Sequence, residues 1–139
     1  MTVSAENIFG IVNVLIIPAW ILLMFFPGRR WTQKLVMSGL YSVLYAGVYT
    51  LVIVINLDLS ALDFSSLEKV YQTFANPYFL LAGWVHYLAF DLWVGAWILK
   101  DSQDTGIRYY LMLPILAFTF YLGPVGYLAY MVLKWKKTQ

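Results

Sequence analysis

Apolar positions along this chain gather into four long runs, at residues 8–26, 35–57, 78–99 and 111–133. Each is close to the roughly 20 residues that a helix needs to cross a bilayer. None alternates with a period of two, so the pattern predicts helices rather than the strands of a barrel. At about 1.5 Å per residue the second run reaches about 34 Å, enough to cross with some tilt. The polar breaks between the runs are well marked. The first carries Pro27, Gly28, Arg29, Arg30 and Lys34. The second, residues 58–76, is polar without being structureless: Ser65 and Glu68 make an S-x-x-E capping box, and Leu67, Val70, Tyr71 and Phe74 recur at helical spacing. That pattern predicts a short helix over 66–76 lying at an interface. Asn76 and Pro77 then supply the cap and first position of the third run. The third break holds Asp101, Asp104 and Gly106. The fold predicted is all-α, an integral membrane four-helix bundle over residues 1–139 as a single transmembrane domain, with a short interfacial helix between spans two and three.

Composition sharpens this picture. Hydrophobic residues make up 62% and charged ones 12%, against about 45–50% and about 25% in ordinary soluble domains. So few charges exclude both a water-soluble monomer and a disordered chain. A net charge of +2 gives no case for nucleic acid, and membrane lipids are the first partners expected. With no cysteine there is no disulfide, thiolate metal site or iron–sulfur cluster; with His86 the only histidine, a bis-His haem would need a second copy of the chain. No cofactor and no metal is therefore expected, and self-association stays open. Trp20, Trp31, Trp84, Trp97 and Trp135 lie mostly towards span ends, as an aromatic belt places them. Residues 1–10 carry no positive charge and no small-residue cleavage site follows, so the first span is expected to remain. An even number of spans puts both termini on one side. The breaks after spans one and three hold Arg29, Arg30, Lys34, Lys100 and Arg108, against Lys69, Lys134, Lys136 and Lys137 opposite. Because the first helix usually dominates, the expected orientation has termini outside and Arg29 and Arg30 cytoplasmic.

The candidate chemistry lies in polar residues within the apolar runs. His86 and Asp91 fall near the middle of the third. An ionised Asp at the bilayer centre costs about 2.5–3.5 kcal/mol on insertion scales, so Asp91 is expected to face the bundle interior. On a regular helix five positions separate the two by about 140° around the axis and about 7.5 Å along it, too far for a direct hydrogen bond. They either line adjacent walls of one cavity or serve different neighbours. Span two carries a hydroxyl stripe of Ser38, Tyr41, Ser42, Tyr45 and Tyr49. Asn13 and Pro18 interrupt span one, and Pro114, Thr119, Gly123, Pro124 and Gly126 interrupt span four. Hydroxylated and small residues commonly serve helix packing in membranes, and that is the plain reading of most of them.

The run Asn76-Pro77-Tyr78, followed by Gly83-Trp84-Val85-His86-Tyr87-Leu88-Ala89-Phe90-Asp91-Leu92-Trp93-Val94-Gly95, resembles the signature of the abscisic-acid-deficient-four-like family. The Asp101/Asp104/Gly106 break and Gly123-Pro124-Val125-Gly126 are similar to it as well. The family takes its name from a plant chloroplast membrane protein required for making neoxanthin. The resemblance implies a long apolar carotenoid or isoprenoid ligand, and a reaction in which a 5,6-epoxide opens to an allene. The chain shows no plastid transit peptide, so a bacterial inner membrane is the expected home.

Three readings follow. In the first the protein is a cofactor-free isomerase of a carotenoid or other isoprenoid. Asp91 and His86 then act as acid and base, in either assignment, Tyr45 and Tyr49 hold the substrate oxygen, and Trp84, Phe90 and Trp93 wall the chain. In the second it binds such a ligand, or assists a partner enzyme, without chemistry. In the third the mid-membrane Asp and His relay protons.

Overall fold

Ser4 opens the first helix by accepting the Asn7 amide on its hydroxyl, and α1 then runs over Ala5–Phe25 with Pro18 inside it. A computed structural model describes residues 4–56 and 62–138; it is helical, with no strand among the described residues. After the Pro27-Gly28 turn the chain forms a single helical turn, α2 (Arg30–Thr32), which widens into a π-helical turn over Gln33–Met37. Ser38 and a left-handed Gly39 (φ 82°) divide this from α3 (Leu40–Asn56), so the expected span over 35–57 is jointed near its start. Leu57 and Asp58, its expected end and the start of the polar break, lie outside the described residues.

The expected interfacial helix is α4 (Leu67–Phe74). Its cap is Ser66, which accepts from the Lys69 amide, rather than Ser65 in a box with Glu68. Ser65 instead donates to the Asp63 carboxylate at 2.6 Å, so the competing local bond moves the cap by one residue. Asn76 caps α5 (Pro77–Asp104) on the Tyr78 amide, with Pro77 in the first turn as expected. α5 is the axis of the molecule. Val85, Leu92, Ile98 and Leu99 are fully buried on it, packed among α1, α3 and α6. Outward, Ile11, Val14, Val43, Leu51, Val54 and Ile55 stay exposed, an apolar exterior of the kind that soluble monomers rarely present.

The largest departure from expectation concerns residues 111–133. They do not form one helix. α6 (Tyr109–Leu122) stops at Gly123, whose φ of 30° turns the chain, and α7 (Pro124–Thr138) starts afresh. α7 then returns antiparallel along α6. Gly126 lies against the Thr119 backbone, Leu133 shares a cleft with Leu111, and the Lys137 ammonium donates to the Gly106 carbonyl before the start of α6. A Cβ on Gly126 would fall 2.6 Å from the Thr119 Cα, so only glycine lets the two backbones close at this point. Proline supplies no amide, and its fixed φ suits a helix start. Each arm, at about 1.5 Å per residue, is roughly 21 Å long, short of the roughly 30 Å of a hydrocarbon core. Three helical runs, Ala5–Phe25, Arg30–Asn56 and Pro77–Asp104, are long and apolar enough to cross a membrane.

The hairpin also separates the start of α1 from the end of α7. Ala5 and Glu6 sit beside Pro77 at the start of α5. At the far end the Tyr109 hydroxyl donates to the Met24 carbonyl, and Lys134 and Tyr130 of α7 bind Asp101. The start of α1 and the end of α7 therefore lie at opposite ends of the molecule.

Candidate functional site

Two polar centres sit on different sides of α5. On one side His86 faces a cavity of about 300 Å³ shared by α3, α4 and α5. Tyr49 and Ile53 form the α3 wall, Phe74 the α4 wall and Phe79 the α5 wall, while Phe64 closes it from the segment before α4. The His86 ring stacks on Phe90 with centroids 4.6 Å apart and faces Tyr49 at 5.8 Å. Neither the imidazole nor the Tyr49 hydroxyl has a hydrogen-bond partner among the described residues. Gly83 sets how closely α4 approaches, because a Cβ there would come within 2.6 Å of the Phe74 ring.

On the other side Asp91 meets the hairpin tip. A Cβ on Gly123 would lie 2.9 Å from the Asp91 Cγ, so the turn residue and the carboxylate share one space. The Asp91 Oδ2 is buried and has no hydrogen-bond partner among the described residues. Tyr87, one turn earlier and within reach of that carboxylate, donates to the Phe120 carbonyl at 3.2 Å. The wide angle expected between His86 and Asp91 is thus realised as two different neighbourhoods: α3 and α4 for the imidazole, the α6–α7 turn for the carboxylate.

The remaining candidates divide between them. Tyr49 joins His86. Tyr45 is buried and donates to the Val12 carbonyl at 2.6 Å, and Tyr41 does the same to Leu15 at 2.5 Å, so these two hydroxyls clamp α3 to α1. Trp84 donates its indole N–H to Asn13 at 3.0 Å and tilts against Phe9, tying α5 to the start of α1. Phe90 and Trp93 line a separate groove of about 330 Å³ with Gly39 and with Ser42 and Ala46 of α3. Helical spacing puts Phe79 and Gly83 on the His86 side of the third span, but sequence reasoning missed Phe64 and Phe74 as walls of the His86 cavity. Phe74 carried a signal, being on the apolar stripe of α4, while Phe64 carried none. Among the described residues no three His, Asp or Glu side chains converge as metal ligands would. The chemistry available is that of an exposed imidazole and a half-buried phenol beside an aromatic-lined cavity.

Fold and site together describe a small protein, helical in its described residues, whose apolar crossing-length helices pack around α5, the helix that carries His86 and Asp91. Residues 7–130 match the family model described as ABA DEFICIENT 4-like. The chain belongs to the ABA DEFICIENT 4-like family, the one that its 83–95 run resembles. No curated protein and no solved structure matches it.

Proposed function

We propose that the protein is a multi-pass membrane protein that binds an apolar isoprenoid of carotenoid type and reads that ligand's oxygen function with His86 and Tyr49. α1, α2 with α3, and α5 cross the bilayer; the α6–α7 hairpin enters it part way, and α4 lies at the interface over the cavity. The exposed aliphatic exterior supports the placement. Neither the helices nor the family favours a bacterial inner membrane over another membrane.

The observation that carries the ligand reading is the His86 cavity, where the imidazole and the Tyr49 phenol, without partners among the described residues, stand in a wall that is aromatic and aliphatic apart from Thr73. A few polar groups fixing orientation in an apolar enclosure is the ordinary make-up of a small-molecule site. The test is to purify the protein in mild detergent and identify the extracted lipid by mass spectrometry. An oxygenated isoprenoid is expected from the unaltered protein. Loss of one hydrogen bond, in Tyr49→Phe or His86→Ala, should cut its occupancy about tenfold. Recovery of bilayer phospholipid alone, or equal isoprenoid recovery from both variants, would overturn the reading.

A catalytic reading has its own support in the 5.8 Å separation of the Tyr49 and His86 rings. Opening an epoxide to an allene removes a proton from carbon, breaks the C–O bond and returns a proton to oxygen, with no net oxidation. His86 as base and Tyr49 as donor meet that demand from the α5 and α3 walls of one cavity, whereas Asp91 faces the hairpin. On this reading His86→Ala lowers conversion of an epoxy-carotenoid about 100-fold or more, while Asp91→Asn retains conversion in whatever protein folds. The reverse pattern refutes it.

A further inference from the structure

The cations of this chain are distributed unevenly once the hairpin is placed. Of nine Lys and Arg residues, eight lie at the end where α1 and α5 finish: Arg29, Arg30 and Lys34 after α1, Lys100 and Arg108 around the end of α5, and Lys134, Lys136 and Lys137 on the last turns of α7. The ninth, Lys69, sits at the other end, paired with Asp63 at 2.7 Å. Two of the eight are committed inside the protein, Lys134 to Asp101 and Lys137 to the Gly106 carbonyl. Arg108 and Lys136 are exposed and make no ion pair among the described residues.

These two unpaired cations flank one cleft. It lies between the α5–α6 turn and the end of α7 and encloses about 550 Å³. Its rim is the exposed Arg108, Lys136 and Lys137, with the exposed Tyr110; its floor is the half-buried Leu111 and Leu133. The bond from Lys137 to Gly106 holds the two walls together. A cationic rim above an apolar floor matches an amphiphile, with donors for a phosphate diester at the mouth and aliphatic surface below it for acyl chain.

We propose that this cleft seats the headgroup of an anionic phospholipid, with the phosphate on Arg108 and Lys136 and an acyl chain against Leu111 and Leu133. The inference rests on the membrane reading above and adds to it a specific lipid and a direction, since it sets the basic end in the anionic leaflet. A free phosphate would use the rim and leave the floor bare, so the lipid is the occupant that accounts for both.

The full-length protein in detergent is offered equimolar phosphatidylglycerol and phosphatidylcholine, and the lipid retained is counted by native mass spectrometry. The expected result is retention of phosphatidylglycerol in excess by about fivefold or more, falling to parity in the Arg108→Gln/Lys136→Gln double variant. Lys100→Gln, which removes a charge outside the cleft, keeps the preference. Equal retention of the two lipids by the unaltered protein, or an unchanged preference in the double variant, overturns the proposal. So does glycerol phosphate competing at the same concentration as the lipid, which would mark a seat for free phosphate. Flotation of reconstituted vesicles separates the two levels. Protein left unfloated contradicts the membrane reading itself, whereas floated protein without lipid preference contradicts only the seat.

Discussion

Gly126 shows how much of this architecture hangs on single atoms. Its missing Cβ lets α7 lie on the Thr119 backbone, and Thr119 cannot yield because its own hydroxyl is bonded to the Ile115 carbonyl at 2.8 Å. Gly126→Ala therefore has to part the two arms of the hairpin, at a cost of about 1–3 kcal/mol. Thermal unfolding in detergent should show a lowered midpoint, and an unchanged midpoint would mean that the close approach is wrong. Other residues act through hydroxyls. Tyr41 and Tyr45 end on α1 carbonyls, so their stripe is structural, as hydroxyls in apolar helices most often are. Tyr49 continues the same stripe by one turn but reaches the cavity. Nothing in helical spacing distinguishes Tyr45 from Tyr49, because the difference is made by the helix opposite: α1 faces the first, and the α4–α5 cavity the second. The wide angle between His86 and Asp91, by contrast, was legible from the sequence, since it depends on helical pitch alone.

At the scale of elements, α4 packs on α5. It is held over the cavity by Phe74 against Gly83 and at its start by a small clip, where Asp63 accepts from the Lys69 ammonium at 2.7 Å and from the Ser65 amide at 3.0 Å. Those bonds, the one from Lys69 first, hold the Asp63 carboxyl well below its ordinary value of 3.8. A carboxyl depressed by folding stabilises above its unfolded pKa, and that contribution is lost as pH falls through the folded value. The clip is thus complete above about pH 4 and opens only in stronger acid. Hydrogen exchange of the α4 amides, corrected for intrinsic rates, should stay level above that pH and rise below it. Asp63→Asn should raise exchange at neutral pH by a few-fold, and no change there would remove the clip from the account. The existence of α4 was readable from its apolar spacing, and its cap was misplaced by one residue because Ser65 had a competing partner. The hairpin was harder to read. Hydropathy scores the apolar face of a helix that turns back as it scores one that crosses, and α6 with α7 is apolar enough for either. The signal lay in Gly123-Pro124, a dipeptide that marks turns, with a second glycine two residues on where the arms touch.

For the whole molecule the hairpin decides topology, and topology decides how the charges are read. Counted along four crossings, the basic residues divide almost evenly between the two faces and orient nothing. Counted along three crossings and a returning hairpin, they gather at one end, because Lys134, Lys136 and Lys137 join Arg29, Arg30 and Lys34. On the proposed membrane placement, the tendency of such clusters to stay cytoplasmic sets this end inside and the far end, with Ser4, Asp63 and α4, in the opposite compartment. The chain contains no cysteine, which makes the topology directly measurable. Ser4→Cys and Lys136→Cys, made separately, give one thiol each in an otherwise unreactive protein. In sealed vesicles of one orientation, a membrane-impermeant maleimide should label only one of the two, and the other only after the vesicles are opened. Labelling of both from the same side would restore a full fourth crossing. The hairpin would then have to straighten through Gly123, and the cleft between the α5–α6 turn and the end of α7 could not exist, because residues 106 and 137 would be on opposite faces of the membrane.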